Sequence, residues 1–252
     1  MTYKDLYKNK NITMWVDLST YCNAACPQCH RTNPNGLGKA DWLDLRQWSL
    51  QQFQQVFPNN IMQNINAFDF CGTWGDPVMN KDLLEICKYI IDTSESTITI
   101  NTNGSIRDED WWWELGSYCK DRLTVVFAID GSTQDIHSHY RQLTSLDKVL
   151  VNMSAVAYAT ANCKVFTVLF KHNQDDIVNI AKLSKSHGAK RITYIESNRF
   201  ENIDNTTFVN NGRHQLLERT TLDRNVLDVI CNKHIALTNT SIGELEQHLN
   251  AS

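Results

Sequence analysis

Met14-Trp15-Val16-Asp17-Leu18-Ser19 runs almost directly into Cys22-Asn23-Ala24-Ala25-Cys26-Pro27-Gln28-Cys29. The first stretch alternates apolar and polar side chains, the pattern of a β-strand. The second puts three thiols on one short loop, spaced CxxxCxxC, with no obvious fourth. A cubane of four irons and four sulfides takes one ligand per iron, usually a cysteine thiolate. Three cysteines would leave one iron open, and an open position on a bound metal is where substrate chemistry occurs. Two other readings of the same residues stay open. One is a zinc knuckle completed by His30, although zinc sites usually draw a second ligand pair from farther along the chain. The other is three small apolar cysteines in a core. Cys71, Cys87, Cys119, Cys163 and Cys231 are scattered singly, so no second pair stands out.

Working outward, 252 residues with 42% apolar content suit one domain with an appendage. A net charge of −4 without a basic run argues against general nucleic-acid binding. The first residues lack the apolar stretch of a secretion signal, and no segment has the ~20 apolar residues of a membrane span. Eight cysteines then point to a reducing compartment, the cytoplasm by default.

The alternation continues along the chain. Strands are expected at 14–19, 65–70, 97–100, 123–129, 164–170 and 190–195. Helices are expected at 46–57, over about ten residues capped by Asn80, at 108–118, 146–159 and 175–187, the last closed by Gly188. Repeated βα units imply parallel strands with right-handed crossovers. Every unusual cluster follows a strand: the cysteines, then Gly72-Thr73-Trp74-Gly75-Asp76-Pro77, Asn101-Thr102-Asn103-Gly104, Asp130-Gly131, Lys171-His172-Asn173 and Glu196-Ser197-Asn198. In parallel α/β folds the carboxyl ends of the strands form the rim that carries the active site. Taken singly, each loop also reads as ordinary turn chemistry.

In order and spacing these loops resemble the radical S-adenosylmethionine (SAM) superfamily over about residues 14–196. The resemblance implies an α/β fold, a partial (β/α)6 TIM-like barrel over residues 1–200, with a helical or irregular extension at 201–252. It implies that Cys22, Cys26 and Cys29 hold a 4Fe-4S cluster whose open iron is chelated by SAM. Gly75-Asp76-Pro77, with Thr73 just before, resembles the family's Gly-Glu-Pro element, where a carboxylate holds the SAM amino group. Here Asp stands for Glu and Trp74 for a Gly. Asn101 and Asn103 resemble the "TNG" turn near the SAM ribose and methionine. Ala128-Ile129-Asp130-Gly131 resembles a Ser-Ile/Leu-Asp-Gly segment, with Ala in the Ser position and Asp130 as a ribose or substrate contact. His137 to Arg141 resembles an HxxxR stretch in which Arg141 pairs with the SAM carboxylate. Gln28 occupies a position that is usually aromatic and near adenine, so adenine falls to other groups, among them the backbone at Leu169-Phe170.

The activity implied is reductive cleavage of SAM to a 5′-deoxyadenosyl radical that abstracts hydrogen from a substrate. The cofactor carries the difficult step, so no catalytic base is assigned. Tyr194, Glu196 and Cys71 are candidates to face substrate. The loop set looks most like peptide- or protein-modifying members, many of which carry a C-terminal SPASM or twitch auxiliary-cluster domain. With Cys231 alone after residue 200, no auxiliary cluster can be built here. A nucleotide or pterin-like metabolite is the alternative substrate, and a non-catalytic metal-binding homolog the alternative role. A low-potential donor such as flavodoxin or ferredoxin is the implied electron source. Helical stretches are expected around Leu216-Leu217, Leu222, Val226-Leu227, Val229-Ile230 and Ile242 to Leu249. Of Trp111-Trp112-Trp113, at least one indole is expected at the surface, where it would suit a partner.

Overall fold

The computed structural model describes residues 12–33, 38–159, 162–200, 205–210 and 212–250. Six strands follow one another across a single sheet: β1 (Thr13–Trp15), β2 (Ala67–Phe70), β3 (Thr97–Thr102), β4 (Leu123–Ala128), β5 (Asn162–Leu169) and β6 (Arg191–Glu196). Every neighbouring pair among them is parallel. β7 (Asn205–Asn210) and β8 (Arg213–Glu218) form a separate antiparallel hairpin. β9 (Ile235–Ala236) lies antiparallel on the free edge of β6. The sheet therefore runs from β1 to β9 without closing, a partial barrel.

Local chemistry explains the main elements. β3, Thr-Ile-Thr-Ile-Asn-Thr, buries every second residue, Ile98, Ile100 and Thr102. Helix α1 (Leu50–Val56) starts in a reciprocal capping box between Ser49 and Gln52. After the short α2 (Asn59–Met62), α3 (Leu83–Thr93) covers the sheet with Leu83, Ile86, Cys87 and Ile90. In α4 (Glu109–Cys119), capped by Asp108, Trp112 is fully buried while Trp113 is half exposed, as three consecutive indoles on a helix require. α5 (Gln134–Tyr140), α6 (Leu146–Tyr158) and α7 (Ile177–Ser186) complete the layer. One continuous core joins these helices to the sheet, with Phe53, Phe68, Phe70, Trp112 and Phe127 among its largest members.

Three expectations shift. β1 ends at Trp15 rather than residue 19: the Val16 amide still donates to the Asp69 carbonyl of β2 at 2.9 Å, but from Leu18 on the chain bonds to a loop. Leu18 and Arg46 carbonyls accept from the Trp48 and Thr20 amides at 3.0 and 2.9 Å. Asp82 rather than Asn80 takes the cap position of α3, with no side-chain cap bond of its own. Asn80 acts one step earlier: its Oδ1 accepts from the Asp82 amide at 2.8 Å while its Nδ2 donates to the Leu18 and Trp48 carbonyls. Leu216 and Leu217 are in strand β8, not a helix: Leu217, opposite Thr206, and Phe208, diagonal to it on β7, both pack into an apolar cluster with Phe170 and Phe200. The later helical stretches form as α8 (Arg224–Ile230) and α9 (Asn239–Asn250). Their Val226, Leu227, Ile230, Ile242 and Leu245 belong to the same core as the sheet. Among the described residues, no helix is long and apolar enough to cross a membrane.

Candidate active site

The carboxyl ends of the parallel strands open into a cleft of about 430 Å³. Cys22, Cys26 and Cys29 line it, together with Thr73, Gly75, Asp76, Asn101, Asn103 and Arg141. Residues read from four separate stretches of sequence thus meet on one surface. Cys71, at the end of β2, lines it too.

The cysteine loop is held on several sides. Arg31, buried, donates to the Trp74 carbonyl at 3.3 Å and the Thr20 carbonyl at 3.1 Å. The Ala25 amide donates to the Gln142 carbonyl at 3.1 Å, and the Asp76 amide to the Tyr21 carbonyl at 2.7 Å. Asp17 accepts from the Thr73 and Trp74 amides at 2.7 and 3.3 Å. Gly75 is required by contact: a Cβ there would sit 2.3 Å from the Ser19 carbonyl oxygen and 2.6 Å from the Thr20 carbonyl carbon. The loop after β2 therefore presses directly on the segment that leads into the cysteines. Arg31 and Asp17 are residues that sequence reasoning missed. Their signal is faint, an Arg two places past the last cysteine and an acid in an otherwise apolar strand.

Asp76 is buried and fully engaged. One carboxylate oxygen accepts from the Val78 amide and Thr102 hydroxyl, both at 2.9 Å. The other accepts from the Thr102 hydroxyl, the Asn103 amide at 2.8 Å and the Asn103 side chain at 2.6 Å. Asn103 also donates to Asn23 Oδ1 at 2.9 Å, reaching the cysteine loop. Burial raises the Asp76 carboxyl against the opposing pull of these donors. In this arrangement Asp76 fastens the loops after β2 and β3 to each other.

Asp130 departs from expectation. It is fully buried and does not line the cleft. One oxygen accepts from the Val168 amide at 2.6 Å and the other from Arg141 Nε, so in this arrangement it anchors Arg141. Arg141 Nη1 lies 3.8 Å from Cys26 Sγ, and its guanidinium faces the Tyr140 ring at 5.0 Å. The Leu169 side chain, next to the backbone expected near adenine, is fully buried in the main core, whereas Val168, one residue earlier, lines the cleft. Successive strand residues point to opposite faces, so a shift of one position exchanges cleft for core. Tyr194 likewise faces the core, its hydroxyl bonded to the Ile177 carbonyl at 2.7 Å. Glu196 is paired with Arg219 and Arg224 at 3.4 and 3.0 Å.

Burial, with Asp76 and Cys26 nearby, pushes the Cys22 thiol up to about 12. Burial also raises Cys26, opposed by the Arg141 cation. Without metal these thiols stay protonated, and a bound cation would reverse that balance. His30 is exposed, lies beside the Trp74 ring and does not line the cleft, so it does not complete a zinc knuckle. Among the described residues no three of His, Cys, Asp and Glu draw together as a cage for a single ion. Cys22, Cys26 and Cys29 all line the cleft, whose volume leaves room for a polynuclear cluster.

No family model matches the chain. In sequence it is 20% identical over 182 residues, 72% of its length, to a probable GTP 3′,8-cyclase of Saccharolobus islandicus. The chain spans about half the length of that relative, 55%. In structure it is similar to Streptococcus suis SuiB bound to the precursor peptide SuiA, with a TM-score of 0.60 and 13% identity, over 76% of this chain and 41% of that one. It is also similar to anSMEcpe with bound AdoMet, with a TM-score of 0.57 and 18% identity, over 74% and 50%. The fold is like that of these two solved structures. The proteins it resembles are radical SAM enzymes.

Gln28, at the position the resemblance makes usually aromatic, is held by hydrogen bonds. Its side chain accepts from the Ser197 hydroxyl at 2.7 Å and donates to the Thr206 hydroxyl at 3.1 Å, and its carbonyl accepts from Arg199 at 2.7 Å. It ties the cysteine loop to the end of β6 and to the hairpin. Ala128 lines the apolar side of the cleft with Phe166, Val168 and Ile195.

Proposed function

We propose that this chain is the catalytic part of a radical SAM enzyme that acts on a peptide or protein. Cys22, Cys26 and Cys29 would hold a 4Fe-4S cluster, and the SAM methionine would lie along Thr73, Gly75, Asn101 and Asn103. When bound, cluster and SAM together supply a 5′-deoxyadenosyl radical able to take a hydrogen atom from an unactivated C–H bond. The chain's own residues bind, orient and exclude water. Arg141, fixed by Asp130, places a cation beside Cys26 and favours the thiolate form that a ligand needs. The same cation is placed to receive a carboxylate on its remaining donors. A flavodoxin- or ferredoxin-like protein would supply the electron.

The observation that carries this reading is the meeting of the three-cysteine loop, the strand-end amides and Arg141 on one cleft. The peptide preference is supported by the structural likeness to SuiB bound to its precursor peptide SuiA. The second reading, a nucleotide substrate, is favoured by the sequence relative named a GTP 3′,8-cyclase. The test is anaerobic incubation of reconstituted, reduced protein with SAM and either a peptide library or GTP. Deoxyadenosine released faster with peptides supports the proposal. Stimulation by GTP alone replaces it with the second reading.

A further inference from the structure

Trp42 and Trp74 stand out on the surface beside the cysteine loop. Their rings meet edge to face, 5.4 Å between centroids. Trp42 is 63% exposed and Trp74 37% exposed. Exposed indoles held apart from any core are costly unless something covers them, and large rigid aromatics are the residues that most often anchor recognition. Both are held on pinned backbone. The Trp74 amide and carbonyl are bonded to Asp17 and Arg31. The loop of Trp42 is fixed by buried Leu43 and by the Thr20 hydroxyl, which donates to the Asp44 carbonyl at 2.7 Å. Such a surface loses little entropy on binding.

Its position is continuous with the cleft. Thr73 and Gly75, on either side of Trp74, both line the cleft. A chain leaving the cleft over the β2 loop would cross the indoles. Leu45, 40% exposed, extends the apolar surface. The other exposed large apolar residues, such as Trp15, Trp113 and Tyr158, come from other stretches of the fold. We propose that Trp42 and Trp74 form a subsite for an apolar side chain of the peptide substrate, a few residues from the one that reacts. The proposal rests on the peptide reading above and adds to it a sequence requirement.

Charge argues for a peptide here rather than an electron-donor protein. Around the indoles lie exposed Asp41, an Asp44–Arg46 pair at 2.9 Å, and Lys39, whose ammonium donates to the Ala40 carbonyl at 3.2 Å. Arg31 is turned inward. With Lys39 and Arg46 balanced by Asp41 and Asp44, an acidic flavodoxin would meet no net cationic rim among these described residues. An apolar side chain of a peptide needs only the uncharged shelf.

The test is affinity selection of a library of short acetylated peptides of randomised sequence on cluster-loaded, SAM-bound protein, read by mass spectrometry. The wild type should enrich peptides with a large apolar residue at one position. Trp42→Ala, which alters only a surface side chain, and the Trp42→Ala/Trp74→Ala pair should weaken retention of those peptides roughly tenfold while SAM binding persists. Enrichment that survives the double substitution overturns the subsite and leaves the peptide reading standing. Unchanged peptide selection with slowed reduction by flavodoxin overturns it in favour of donor docking. A wild type that retains no peptide overturns the peptide reading and the subsite with it.

Discussion

The two sides of the cleft are built by different physics. On the β1–β3 side the loops are cross-tied by directional hydrogen bonds. Asp17 holds the Thr73 and Trp74 amides, Asp76 holds Thr102 and Asn103, and Asn103 reaches Asn23. On the β4–β6 side the walls are apolar. Tyr140, Phe166, Val168 and Ile195 face the cleft, and Phe170, Phe200, Phe208 and Leu217 pack with them in one apolar cluster. The fully buried ionic element there is the Asp130–Arg141 pair. A polar, pre-set wall suits a zwitterion such as the methionine of SAM. An apolar wall suits a flat ring or a side chain and relies on area rather than direction.

The largest expected effect breaks the element both sides share. Cys26→Ala, checked by iron and sulfide analysis after anaerobic reconstitution, should abolish cluster uptake while the fold persists. Full iron loading in that variant would remove Cys26 from the ligand set. Next comes the ionic element of the apolar side. Asp130→Ala strands the Arg141 cation in a buried setting and should cost about 3–5 kcal/mol in urea unfolding. A loss below about 1 kcal/mol would show that Arg141 finds solvent or another partner.

On the polar side, Asp76→Ala leaves the donors of Thr102 and Asn103 unpaired and should cost about 3 kcal/mol by the same measurement. Equal losses at both sites would weaken the contrast between the walls. The smallest effect concerns pH. His137 is buried, with Nδ1 facing the Asp130 amide at 3.3 Å and Nε2 the Thr144 hydroxyl at 3.0 Å. Burial, then the Arg141 charge, lowers it from 6.5 to about 3. Above pH 6.5 it is neutral folded or unfolded and has no effect. Below that the unfolded chain takes up a proton that the folded chain refuses. Its contribution to stability is therefore lost as pH falls from 6.5 toward 3, by about 2 kcal/mol at pH 5. Urea midpoints measured from pH 7 to 5 should fall, and His137→Asn should flatten the slope.

Much of the polar side was legible in the sequence because its chemistry is local. CxxxCxxC, Gly75-Asp76-Pro77 and Asn101-Thr102-Asn103 are short, and each falls where a strand ends. The six βα units were legible from alternation and helical spacing for the same reason. The apolar side was not. Whether Val168 or Leu169 faces the cleft depends on strand register, which one residue reverses. Asp130 reads as a turn acid until Arg141, eleven positions on, is folded onto it. The hairpin of β7 and β8 is polar in composition, and only its seat on Phe170 and Phe200 makes Phe208 and Leu217 a core pair. Gln28 was visible as a departure, but its partners Ser197 and Thr206 lie far along the chain.

The central claim is that the three-cysteine loop holds a cluster whose open iron takes SAM within this cleft. Electron paramagnetic resonance of anaerobically reconstituted, dithionite-reduced protein, with and without SAM, tests it most directly. The account predicts a reduced 4Fe-4S signal whose shape changes when SAM is added. A cluster signal indifferent to SAM, or stoichiometric zinc with no cluster, would contradict it.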